Sequence, residues 1–308
     1  MSTRQHPGSG LPQAIGAYTI WGLLPLYLNL VHRVPPFEFV GWRVLFTLPL
    51  CLALIVRSRQ GSDLLALLRQ PRLLATLTVS ALLIGANWLT YVAAVHNGHV
   101  FAASLGYYIN PLVNVLLGTA FLGERLSRIQ WLAVAVATAG AGILAVEALG
   151  DLWISLALAG SFGCYGLVRK LAPVSAVSGL TIETLLLAPA ALAVIGWYAG
   201  QPGGTSLGTG LLGDSLIAAA GLVTAIPLLL FTQAAQRMAY STLGFFQFLA
   251  PSLVFVQGLF LFHETLGRAQ LACFAVIWTA CAIYIWDLIR GRRTVPAADG
   301  AATAGGTA

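Results

Sequence analysis

Of 308 residues, 16 are Lys or Arg and 10 are Asp or Glu; charged side chains make up 8% of the chain and hydrophobic ones 58%, against roughly 25% charged in ordinary soluble domains. Apolar side chains would overflow the water-facing surface of a single globule of this size, which excludes the soluble classes and makes lipid the main solvent. The net charge of +6 would hint at nucleic acid in a soluble protein, but here the basic residues sit in short loops between apolar runs, so nucleic acid is not an expected partner.

A bilayer core about 30 Å thick needs about 20 mostly apolar residues per helix. Ten such runs fit, after a polar segment 1–11 expected to be disordered. The first covers 12–31. The second, 36–56, begins at the Pro35–Pro36 break and carries Glu38 and Arg43 inside the span. Burying a charge at the centre of a span costs roughly 2.5–3.5 kcal/mol on insertion scales, so each is a candidate for substrate binding or proton coupling. The bland alternative pairs Glu38 with Arg43 or Arg33. Five residues apart on a helix is about 140° of rotation, which makes Glu38 and Arg43 poor intrahelical partners.

Residues 62–70 read as a short interfacial helix, with Leu64, Leu65, Leu67 and Leu68 between arginines. The third span, 74–95, contains Asn87 and Trp88. The fourth, 99–121, contains Tyr107, Tyr108, Asn110, Pro111 and Asn114. Prolines inside a span free backbone carbonyls, and amides and rings give a cavity an adaptable wall. The bland alternative for each amide is an interhelical hydrogen bond of about 0.6 kcal/mol. Glu124 reads as a helix-start residue for the fifth span, 130–147, whose Ala133, Ala137, Ala141 and Ala145 form a small-residue contact stripe.

The sixth span, 152–171, adds Tyr165. The seventh, 178–199, adds Glu183, a third intramembrane charge that either couples to protons or pairs with Arg169 or Lys170. The eighth covers 214–236. The ninth, 239–262, carries Phe245, Phe246, Gln247 and Pro251. Glu264 again reads as a helix-start residue, for the tenth span at 268–289, and the segment 290–308 is a basic, then Ala/Gly-rich tail expected to be disordered. All four cysteines lie in spans and read as apolar fillers; no metal-ligand spacing occurs, and His263–Glu264 lacks the second histidine of H-E-x-x-H.

Thirteen of the sixteen basic residues fall in one set of alternate loops and tails, while Arg33 and Arg268 alone fall in the other, which places both termini in the cytoplasm. Laying 94–146 on 234–286 at a constant offset of 140 gives ten identities, among them the register E-x-L-x-R-x-Q of Glu124 to Gln130 and Glu264 to Gln270. An internal duplication follows, with repeats at 12–147 and 152–289. Each holds five spans, an odd number, so the second enters the membrane inverted, with Glu38 and Glu183 as a pseudo-symmetric acidic pair. The fold class is an all-α integral membrane protein of ten helices in a 5+5 inverted repeat, a construction recurrent in secondary transporters.

The segments "SLGYYINPLVNVLLGTAFLGERLSRIQWLAVAVATAG", "GANWLTYVAAV", "SFGCYGLVRK" and "STLGFFQFLAPSLVF" resemble the RarD-type permeases of the EamA drug/metabolite transporter superfamily over about residues 14–288. The resemblance implies a bacterial inner-membrane permease moving a small metabolite or drug-like compound; the branch is commonly described in terms of chloramphenicol sensitivity or resistance. An acid five residues ahead of an arginine in the second helix also belongs to that pattern and matches Glu38 and Arg43. The expected function is a proton-coupled exporter working by alternating access, with no cofactor, as a monomer or homodimer. An uptake carrier is the alternative. An intramembrane enzyme lacks a nucleophile or metal constellation, and a channel lacks charge rings or a filter repeat.

Overall fold

The computed structural model describes residues 10–147, 149–261 and 267–293. Among these every regular element is helical: α1 (Leu11–Leu30), α2 (Pro36–Arg57), α3 (Gly61–Leu68), α4 (Pro71–His96), α5 (Val100–Leu122), α6 (Arg128–Glu147), α7 (Leu152–Leu171), α8 (Ala176–Ala199), α9 (Leu211–Arg237), α10 (Tyr240–Gln247), α11 (Leu249–Phe260) and α12 (Arg268–Arg293), with a 3-10 turn at Leu149–Asp151. Most of the two expected tails lies outside the described residues, as do Glu264 and His263. Residues 290–293, assigned from sequence to the C-terminal tail, instead continue α12.

Boundaries follow local chemistry. Pro36 and Pro71 open α2 and α4 at the first helical position, where a missing N–H is harmless. Gly123 closes α5 at φ 65°, a left-handed conformation that favours glycine. Ser175 caps α8 by accepting from the Ser178 N–H at 3.0 Å. The segment read as one ninth span is two helices that meet at Phe248. Pro251 has no N–H for the Gln247 carbonyl, and its ring crowds that carbonyl, so the chain tightens there into a Phe248 N–H to Phe245 bond of 3.3 Å.

Among the described residues nine helical stretches are long and apolar enough to cross a bilayer, with α10 and α11 counting as one. The protein is a multi-pass membrane protein. α1 is 20 residues long but falls outside that set, because Pro12, Gln13, Tyr18, Trp21, Pro25, Tyr27 and Asn29 dilute its aliphatic content. The surface is inverted relative to a soluble protein. Large apolar side chains such as Leu82, Leu116, Phe121, Trp131, Trp153 and Trp197 point outward, while Glu38, Asn114, Arg169, Glu183 and Gln247 are buried.

α2 packs on α8 and α9, α4 on α7 and α8, α1 on α9 and α11, and α5 on α7 and α10; α6 and α12 pair with each other. Ala133 and Ala137 of the small stripe are buried in that last pair, and a Cβ at Gly140 would meet Val276 and Ile277 at 3.0–3.1 Å. A core cluster gathers Tyr18, Tyr165, Phe231 and Tyr240.

Candidate functional site

Arg43 lies two helical turns into α2. Its guanidinium sits 4.7 Å from the ring centroid of Trp88 on α4 and 5.9 Å from that of Phe39. Its Nε donates to Thr224 Oγ1 on α9 at 3.0 Å. Tyr107, Tyr27 and Tyr91 lie within electrostatic reach, and the Tyr91 and Tyr107 rings meet edge-on at 5.9 Å. Arg43 is only partly buried and Tyr107 is 43% exposed, so the guanidinium and this ring are not sealed inside the packed core. Among the described residues no carboxylate lies within ion-pair distance of Arg43, and its two Nη groups donate to nothing. A cation–π contact on Trp88 is worth about 2 kcal/mol when desolvated, which offsets part of the burial cost and holds the charge without neutralising it.

Glu38 does not pair with Arg43 or Arg33. Its carboxylate accepts from Trp42 Nε1 at 2.9 Å and from the Ser206 N–H and Oγ at 2.7 and 2.8 Å, which ties the α8–α9 connection to the start of α2. Those three donors replace the ion pair that its sequence position suggests. Glu183 is buried on α8. Ser80 of α4 donates to its Oε1 at 2.5 Å and the Tyr165 hydroxyl to its Oε2 at 3.5 Å, while Arg169 Nε forms an ion pair with Oε1 at 3.4 Å. Of the two expected partners it is thus Arg169, not Lys170, that meets Glu183; Lys170 donates to the Ala235 and Met238 carbonyls at 2.7 Å.

Helices α2 and α8 start at Pro36 and Ala176, 140 residues apart, and that offset aligns Glu183 with Arg43 and Ser178 with Glu38 rather than Glu38 with Glu183. Arg43 and Glu183 carry opposite charge. A small cavity with about 10 Å³ of room, about enough for one water, separates their surroundings; Glu183, Thr184, Leu180 and Leu187 line one wall and Trp88, Ile84, Val44 and Thr47 the other.

The remaining candidates divide. Asn114 Nδ2 donates to Gln247 Oε1 at 2.7 Å, a buried amide pair linking α5 to α10, while the oxygens of Asn114 and Asn110 have no partner. Asn87 donates to the Leu158 carbonyl at 2.9 Å and to Ser161 Oγ at 3.0 Å, an α4–α7 tie. Tyr165 stacks on Phe231 at 6.2 Å. Tyr108 packs in a separate cluster with Leu105, Phe245 and Phe248, away from Arg43. Glu124 accepts from the N–H groups of Tyr240 and Ser241 at 2.6 and 2.8 Å, so it serves the start of α10 and not of α6.

Sequence reasoning missed Phe39, Tyr91, Thr224 and Ser80, and it named Arg169 as a partner of Glu183 without its full burial: Arg169 is among the largest fully buried side chains. Gly179 makes this possible, because a Cβ there would overlap the Arg169 guanidinium. Gly179→Ala is expected to push Arg169 off Glu183 and leave a buried carboxylate without its cation, at a cost of about 3 kcal/mol. A lowered thermal midpoint of the purified protein would register this; an unchanged midpoint would show that the pair does not carry stability.

Residues 8–146 match the EamA-like transporter family. An uncharacterised transporter of Pseudomonas aeruginosa is 44% identical over 93% of this chain and 96% of its own. The protein called RarD in Salmonella typhimurium is 44% identical over 92% of this chain and 97% of its own, and that of Escherichia coli 44% over 92% and 96%. The chain belongs to the RarD-type permeases of the EamA family. A solved crystal structure, 19% identical, superposes with a TM-score of 0.71 over 91% of this permease and 98% of that chain, which shows a shared fold. This RarD-type permease is a membrane transporter.

Proposed function

We propose that this permease is a secondary active transporter that moves a small solute out of the cell in exchange for protons, through ten helices arranged as two inverted five-helix halves in a bacterial inner membrane, with both termini cytoplasmic. The carrying observation is Arg43: a charge inside a span, fixed by Thr224 and Trp88, open on one edge and without a carboxylate among the described residues. A residue so costly to insert calls for a reason, and an anionic ligand would supply one where no protein carboxylate does.

The repeat draws support from the helix starts. Pro36 and Ala176, Pro71 and Leu211, Val100 and Tyr240, and Arg128 and Arg268 are each 140 apart, and Leu11 and Leu152 are 141 apart. Packing follows the same exchange: α4 on α7 mirrors α9 on α1, α5 on α7 mirrors α11 on α1, and α2, α5 and α6 each meet their own counterpart. Halves related in this way can rock about a midplane site and open it to each side in turn. The outward direction rests on the RarD resemblance, and the orientation on the basic-residue asymmetry.

Glu183 is the proposed proton carrier. It occupies the proposed counterpart position of Arg43, is almost fully buried, and shares the small cavity with Trp88. In proteoliposomes Glu183→Gln is expected to abolish solute accumulation driven by a pH gradient while counterflow of labelled solute persists. Undiminished gradient-driven accumulation in Glu183→Gln would reject Glu183 as the coupling group.

A further inference from the structure

The recess around Arg43 also limits what it can hold. One cation is present there among the described residues; its guanidinium carbon lies over the Trp88 ring and its Nε is held by Thr224. The remaining edge presents both Nη groups, the fork that matches two oxygens of one planar or tetrahedral anion. Around it stand Phe39, Trp88, Tyr91 and Tyr107, with exposed ring surface at Tyr107. The Tyr27 hydroxyl is already spent on the Leu216 carbonyl at 2.7 Å, so the polar groups left for a ligand are few.

From this geometry we infer that the Arg43 recess binds a small aromatic monoanion, its carboxylate or sulfonate on the Nη edge of Arg43 and its ring against the tyrosine and tryptophan side chains. The assignment rests on the transporter reading and names the solute class. A single fixed positive charge balances one negative charge; a phosphate dianion would leave a net charge in a low-dielectric site. A cationic solute would be repelled by the guanidinium. The aromatic walls add edge-to-face and stacked contacts that an aliphatic acid of the same volume forgoes, on the order of a tenfold preference.

Purified full-length protein, titrated calorimetrically at neutral pH with benzoate, cyclohexanecarboxylate, phenyl phosphate and benzylamine, tests the assignment. Benzoate is expected to bind at least about fivefold tighter than cyclohexanecarboxylate or phenyl phosphate, benzylamine not at all, and Arg43→Gln to lose benzoate binding. Trp88→Leu, checked for a monodisperse elution profile, is expected to erode the preference for benzoate over cyclohexanecarboxylate, and it serves if Arg43→Gln fails to fold. Equal binding of the aliphatic acid, preference for the phosphate or the amine, absence of benzoate binding, or full binding in Arg43→Gln would each overturn the assignment. Vesicle counterflow with labelled benzenesulfonate, which stays charged and does not leak as a neutral acid, separates the two levels. Benzoate binding without counterflow would sink the transporter reading and leave the ligand class standing. Counterflow of a non-aromatic solute without benzoate binding would do the reverse.

Discussion

Arg43→Ala is expected to reduce solute binding and counterflow by on the order of a hundredfold or more while the protein accumulates normally in the membrane. Two charge-assisted hydrogen bonds from the Nη edge to an anion are worth about 1.5–3 kcal/mol each, and every 1.4 kcal/mol is a factor of ten. Insertion should not suffer, because removing a charge from α2 removes an insertion cost of roughly 2.5–3.5 kcal/mol. The native state loses the Thr224 hydrogen bond and the Trp88 contact, neither of which is an ion pair whose rupture would strand a buried carboxylate. Arg43→Lys keeps the charge but loses the guanidinium contact over the Trp88 ring and the forked edge, so a loss of at least about tenfold is expected there too. Thr224→Val unpins Nε and is expected to raise the half-saturating solute concentration a few-fold with little change in maximal rate. Full counterflow in sealed vesicles containing Arg43→Ala, with matched protein levels, would remove Arg43 from the transport site.

How far the sequence reveals this site depends on what a residue costs where it sits. Span limits are legible because a slab of fixed thickness dictates them: the sixth span is expected at 152–171 and α7 runs Leu152–Leu171. Proline is less informative. Pro111 leaves α5 continuous whereas Pro251, its counterpart, divides α10 from α11, and Pro25, Pro49, Pro189 and Pro227 all sit within unbroken helices. Arg43 stands out because charge inside a span needs a reason. Thr224 and Ser80 do not, since hydroxyls in apolar helices ordinarily bond their own backbone, as Thr181 does to Val177 and Thr184 to Leu180. Only packing decides that these two point at ionic side chains. Arg169 misleads for a related reason: an arginine near a helix end usually reaches for water, and it takes Gly179 on the neighbouring helix to let this one turn inward. Glu124 shows the opposite limit. Its helix-capping chemistry is legible, but the helix it serves begins 116 residues further on at Tyr240.

That distant cap gives the second large expected effect. α9 ends and α10 begins around Met238 and Ala239, and both helix ends carry unsatisfied backbone groups. Glu124 takes two N–H groups at the start of α10, and Lys170 gives two bonds to carbonyls at the end of α9. Each charge complements the dipole of the helix end it touches. In the proposed 5+5 arrangement Lys170 and both helices fall in the second repeat and Glu124 in the first, which would make its carboxylate a strap across the two halves. For such halves to part there, Glu124 would have to exchange two charge-assisted bonds for water. The net cost is about 1–3 kcal/mol, which shifts a closed-to-open equilibrium by roughly 5- to 150-fold. In a background lacking the four native cysteines, Ser241→Cys, at a position buried in this structure, is expected to react with a membrane-impermeant maleimide at least about fivefold faster when Glu124→Ala is added. Glu124→Gln keeps one acceptor oxygen and should fall between. Lys170→Ala frees the α9 carbonyls but leaves the strap in place, so its effect should be the smaller of the two. If Glu124→Ala leaves the labelling rate of Ser241→Cys unchanged, the carboxylate caps α10 without restraining the halves, and closure on that face must come from the buried Asn114–Gln247 pair and the apolar packing around Tyr240.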